Sequence, residues 1–111
     1  MPISLTTFGN DVDENFNSLA NSGTSSALPA GWETNRPDYS AGNGTIVAGG
    51  IRSYGNNAQV DRALGSLTNN GQTPLMFGAA YINDTGGTIT ELDIQYTGEQ
   101  WRRGANNSVD T

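Results

Sequence analysis

Residues 77–104 read FGAAYINDTGGTITELDIQYTGEQWRRG, and their patterning decides the fold class. The run that leads in, residues 75–83 (LMFGAAYIN), is apolar on both faces, as in a central strand covered from two sides. Asp84-Thr85-Gly86-Gly87 is turn chemistry. From Thr90 the chain alternates: Leu92, Ile94 and Tyr96 point one way, while Glu91, Asp93, Gln95 and Thr97 point the other. Ile89 is out of phase, so the regular register begins after it. Two such runs around a Gly-rich turn predict a β-hairpin. It ends in a dense polar cluster, Glu99-Gln100-Trp101-Arg102-Arg103.

The rest of the chain has the same texture. Fifteen Gly and thirteen Asn mark turns, and twelve Thr favour strands. Residues 3–8, 45–54 and 60–67 read as further strands, the second interrupted at Gly49-Gly50. Residues 21–31 read as a loop, and Asn69-Asn70-Gly71 as a turn. Residues 12–20 come closest to a helical period, but their Asn content disfavours a helix. Short strands separated by turn clusters predict an all-β fold, an antiparallel β-sandwich. Residues 1–104 form one module, and residues 105–111 a tail or linker.

The chain holds 111 residues with 34% apolar content, so a single domain with a thin core is expected. There is no Cys, His or Lys; the five cations are all Arg, against eleven carboxylates, for a net charge of −6. Such a surface repels phosphate backbones, which argues against nucleic acid as a partner. No stretch approaches the roughly 20 apolar residues of a membrane helix, so membrane insertion is not expected. Residues 1–20 lack the basic start and apolar run of a signal peptide; a removed leader or a signal elsewhere in a longer precursor fits export. The lack of Lys is a compositional feature of many secreted bacterial matrix proteins, and it suggests an extracellular or cell-surface location.

Without His, Cys or Lys, several kinds of chemistry are excluded: Ser-His-Asp and Cys-His nucleophilic sites, zinc held by His or Cys, P-loops and Schiff bases. Carboxylate pairs such as Glu91 with Asp93, or Glu99 with Asp61, have the groups for glycoside cleavage. Glu91 and Asp93 fall on a solvated face, however, so the chain reads as non-catalytic. Two readings compete for the Glu99-Gln100-Trp101-Arg102 cluster. In one, Trp101 offers a flat face to a sugar ring while Glu99, Gln100 and Arg102 supply polar contacts. In the other, Trp101 packs in the core as a strand-end anchor. Arg62, between short apolar residues, needs a carboxylate partner; Asp61 points to the opposite face, so a structural Arg62–Glu99 pair is expected. Trp32, Tyr39 and Tyr54 lie in or beside loops, where an aromatic cleft for a ligand would form. Tyr81 and Tyr96 are expected on sheet faces or in the core. Asp11, Asp13 and Glu14 supply hard oxygen atoms at a spacing that suits Ca²⁺, although no Asp-x-Asp-x-Asp-Gly loop is present and solvated acids are the competing reading.

The words LPAGW (28–32), DRALGSL (61–67) and NDTGGTITELDIQYTGEQWR (83–102), with the trailing Gly104, resemble a β-sandwich region of large secreted or surface proteins of cyanobacteria and other bacteria. Some of those proteins place it before extracellular nuclease domains or Ca-binding repeats. ENFNSL (14–19) followed by LPAGW resembles the start of jelly-roll adhesin and carbohydrate-binding modules. The resemblance spans about residues 14–104, and it implies a jelly-roll-like sandwich, with Glu14 in the position of a structural Ca²⁺ ligand. Here residues 39–55, YSAGNGTIVAGGIRSYG, depart from the usual form of that region. Such regions also continue beyond GEQWRRG with further strands. The sandwich is therefore expected to be incomplete and to be finished by another segment or chain, as in strand addition. Three roles follow: a module that binds carbohydrate or matrix, with polysaccharide as ligand; a self-assembling structural or filament subunit, a homo-oligomer paired strand to strand; or an accessory domain of a larger secreted enzyme.

Overall fold

The computed structural model describes residues 1–69, 71 and 74–102. Among these the fold is all-β and β-sandwich-like, without a helix. Eight short strands form: β1 (Ile3–Leu5), β2 (Thr24–Ser25), β3 (Trp32–Thr34), β4 (Tyr39–Gly42), β5 (Gly50–Tyr54), β6 (Ala63–Leu67), β7 (Phe77–Ala79) and β8 (Tyr81–Asn83). The main sheet has the order β2-β4-β5-β6. Two small sheets pair β3 with β7 and β1 with β8. The pairings are mixed, since β4–β5 and β1–β8 run parallel while the other three run antiparallel.

The strand covered on both faces is β5. Ile51, Arg52, Ser53 and Tyr54 are consecutive and all buried, so neither face of the strand is open, while β4 and β6 pair with its two edges. Residues 75–83 do not fill that role. They form one extended run that changes partner at Ala80, which donates to Gly31 O (2.9 Å) and accepts from Ile3 N (2.8 Å). Phe77, Tyr81 and Ile82 stay exposed on this run.

The expected hairpin is not formed. Its turn is: Asn83 Oδ1 accepts from Thr85 N (3.0 Å) and Thr85 Oγ1 (2.6 Å), and Asn83 Nδ2 donates to Gly87 O (2.7 Å). Asn43 holds Thr45 with the same two bonds, at 3.2 and 2.6 Å, so the two Asn-x-Thr triplets act as local turn locks. Beyond the turn, residues 88–102 carry no strand. Leu92 is 62% exposed, Ile94 76% and Tyr96 88%. Alternation makes a segment competent to pair, but β8 pairs with β1 and no strand pairs with residues 88–102. Tyr96 is therefore neither a core nor a sheet-face residue, and Tyr81 is an exposed residue of β8.

The core is small. Leu19, Tyr39 and Ile51 are buried together, with Phe16, Ala20, Leu28, Leu64 and Leu75 packed around them. Tyr39 is the post of this core, because its hydroxyl donates to Ala27 O (2.7 Å) and accepts from Ala20 N (3.0 Å). Those bonds tie the loop before β2 and the chain after it to β4. Side chains close residues 14–17 into tight turns: Glu14 Oε2 accepts from Phe16 N (2.8 Å) and Asn15 Oδ1 from Asn17 N (2.9 Å). Such local bonds compete with helix formation.

Candidate functional site

Several of the residues singled out in the sequence fall into two groups, one at the end of β5 and one around the segment between β3 and β4. The first group joins Tyr54, Glu99, Trp101 and Arg102. The Trp101 ring stacks on Tyr54 with centroids 6.0 Å apart and planes 4° from parallel. Trp101 Nε1 donates to Glu99 Oε2 (2.8 Å), and Arg102 Nη1 donates to Gly44 O (3.1 Å). Gly44, at φ +90°, carries no side chain where a Cβ would run into the Trp101 carbonyl. Through these contacts residues 99–102 dock across the ends of β4 and β5. Gln100 is exposed, and Arg103 lies outside the described residues. Burial pushes the Tyr54 hydroxyl above its usual range, while the charges of Arg52 and Arg102 pull it back.

Arg62 corrects a sequence expectation. It is only 4% exposed, but Glu99 is not its partner, because the Glu99 carboxylate holds the Trp101 indole. The guanidinium instead donates to Ser53 Oγ (2.9 Å), Ser53 O (2.5 Å) and Asn57 O (2.8 Å), with longer bonds to Gln59 O and Gly42 O. Burial lowers its proton affinity, partly restored by Asp61. Several neutral carbonyls satisfy the fork of a guanidinium as fully as one carboxylate does, and the geometry makes Arg62 a clamp between β5 and the 57–62 loop.

The second group lies around the segment 36–39, between β3 and β4. Two open clefts share this segment as a common wall. One, of about 260 Å³, is lined by Trp32, Glu33 and Asp38 among others. The other, of about 270 Å³, is lined by Ser40, Gly50 and Arg52 among others. Trp32 begins β3, where the Phe16 ring meets it edge-on with centroids 4.7 Å apart. Tyr39 begins β4 with its ring buried, so it supports both clefts from below rather than standing in a loop. Arg36 reaches both clefts and donates to Asn35 O and Pro74 O.

Arg52 has no counterpart in the sequence reading. It is 8% exposed, and it donates from Nη1 to Ile51 O (3.2 Å) and from Nη2 to Ala48 O (2.7 Å). Gly50, at φ +151°, leaves the room that its guanidinium occupies. The signal was present as an Arg inside a strand between Ile51 and Ser53, but nothing local tells which face such an Arg takes.

Asp11, Asp13 and Glu14 do not converge: among the described residues no three His, Cys, Asp or Glu side chains gather as a metal would require. Glu14 caps the Phe16 turn. Among the described residues no helix is long and apolar enough to cross a membrane. No protein-family model, curated protein or solved structure matches the chain.

Proposed function

We propose that this chain is a non-catalytic β module of the extracellular space or cell surface, and that it works by association, with its strand-competent surfaces paired by another chain or segment. One observation carries the reading: the alternating segment 90–97 displays Leu92, Ile94 and Tyr96 to solvent with no strand beside it. Exposed apolar surface of that kind marks an interaction site, and open strand edges are paired readily by added strands.

Absence of His, Cys and Lys supports a non-catalytic role. Light scattering after size exclusion, across a range of concentrations and with and without Ca²⁺, tests the proposal. The expected outcome is a mass that rises with concentration in multiples of the chain. A single monomeric species at every concentration overturns it. A Ca²⁺-dependent rise in thermal stability would show that the chain binds a cation.

A further inference from the structure

Two buried side-chain N–H groups lack a hydrogen-bond partner among the described residues: Trp32 Nε1 and Arg52 Nε. They are not scattered. Trp32 lines the first cleft and Arg52 the second, and the two clefts share the wall 36–39. A buried donor without an acceptor is destabilising, and each of these two belongs to a residue that lines an open cleft, so an acceptor brought by a ligand would relieve it.

The charges around the clefts give the ligand its chemistry. The first cleft carries Glu33 and Asp38 with Arg36, and so has the surplus of acceptors that suits a neutral, hydroxyl-bearing unit. The second carries Arg52 and Arg36 with Asp38, a local positive excess on a chain whose net charge is −6. Arg52 donates from both terminal nitrogens to neutral carbonyls but, unlike Arg62, keeps an Nε–H without an acceptor among the described residues. That group has a charge-assisted hydrogen bond still to make, which an anionic acceptor makes best. Each cleft lies just below the range of about 300–1,000 Å³ typical of small-molecule sites, which fits two consecutive units of one ligand.

We propose that the twin cleft binds an acidic oligosaccharide, with a carboxylate- or sulfate-bearing unit at Arg52 and a neutral unit at Trp32. The site goes beyond the association proposed above and is independent of it, so either can fail alone.

Nitrogen–proton correlation spectra of the intact protein provide the test, because both orphan groups have their own resonances. The probes are an oligogalacturonate, a sulfated galacto-oligosaccharide and the neutral galacto-oligosaccharide of equal length. The Trp32 indole and Arg52 Nε–H signals are expected to move with an acidic probe, while the Trp101 indole, already bonded to Glu99, stays in place. The tighter of the two acidic probes identifies the anionic group. The neutral probe should bind about tenfold more weakly or worse, the equivalent of one charge-assisted hydrogen bond. Trp32→Phe, which keeps an aromatic ring but removes the donor, should weaken binding several-fold, and raised salt should weaken it further. Equal affinity for the neutral probe overturns the proposal. So does movement of the Trp101 indole alone, movement of only one orphan signal, or no movement with any probe.

Discussion

At the residue scale, Arg62 shows how a buried charge is accommodated without an opposite charge. Its five N–H groups meet one hydroxyl and a ring of carbonyls drawn from Gly42, Ser53, Asn57 and Gln59, so one side chain satisfies backbone groups from two strands and a loop. Loss of the guanidinium removes a buried donor from each of these acceptors, of which Gly42 O keeps its bond from Gly55 N. Arg62→Met should therefore lower stability by about 2–4 kcal/mol, read as a shift in the urea midpoint at constant slope. Glu99→Gln keeps an acceptor for the Trp101 indole and sits on an exposed residue, so its effect should stay within about 0.5 kcal/mol. An equal loss in the two variants would restore the Arg62–Glu99 pair. The sequence identified Arg62 as a buried, paired cation but named the wrong partner, because a strand's backbone carbonyls are invisible as acceptors until the neighbouring loop is placed. Arg52 was missed for the same reason: its burial depends on β4 and on Gly50, not on its own neighbours in sequence.

At the element scale, local signals located strands better than they located partners. β6 and most of β5 lie where the alternation and turn residues put them, and the Asn83–Gly87 turn closes as its chemistry demands. The parallel β4–β5 pair was not legible, since register across a crossover is fixed by the core under Tyr39 and Ile51 and not by any turn. The most strand-like segment by pattern, residues 90–97, is the one left unpaired. Its apolar face is intact and its charged face is solvated, so pairing awaits an edge and not a change of sequence. Ile94→Lys places a charge in the middle of that face. Because Ile94 is exposed in the isolated chain, the variant should unfold within about 0.5 kcal/mol of the parent. In sedimentation it should remain monomeric at concentrations where the parent associates. A variant that associates as the parent does would move the interface away from this segment.

For the whole molecule, size and charge pull against each other. The radius of gyration is 15.8 Å, compared with roughly 13 Å for a compact chain of this length, and the core beneath it is small. An open, thinly packed module gains from having its edges covered. Yet two copies that each carry a net charge of −6 repel one another as they approach. That repulsion acts over a Debye length of about 10 Å at 0.1 M salt and about 3 Å at 1 M, whereas pairing of apolar faces and backbone edges is short-ranged and is not screened away. Salt should therefore promote self-association, with the apparent dissociation constant falling steadily as sodium chloride rises. Occupancy of the Arg52 cleft by an acidic oligosaccharide should respond in the opposite sense, because there the charges attract. Measuring both in one salt series, association by sedimentation and binding by the Arg52 Nε–H signal, separates the two activities. Self-association that weakens with salt would mean that ionic contacts, and not the exposed Leu92–Ile94–Tyr96 face, hold the copies together.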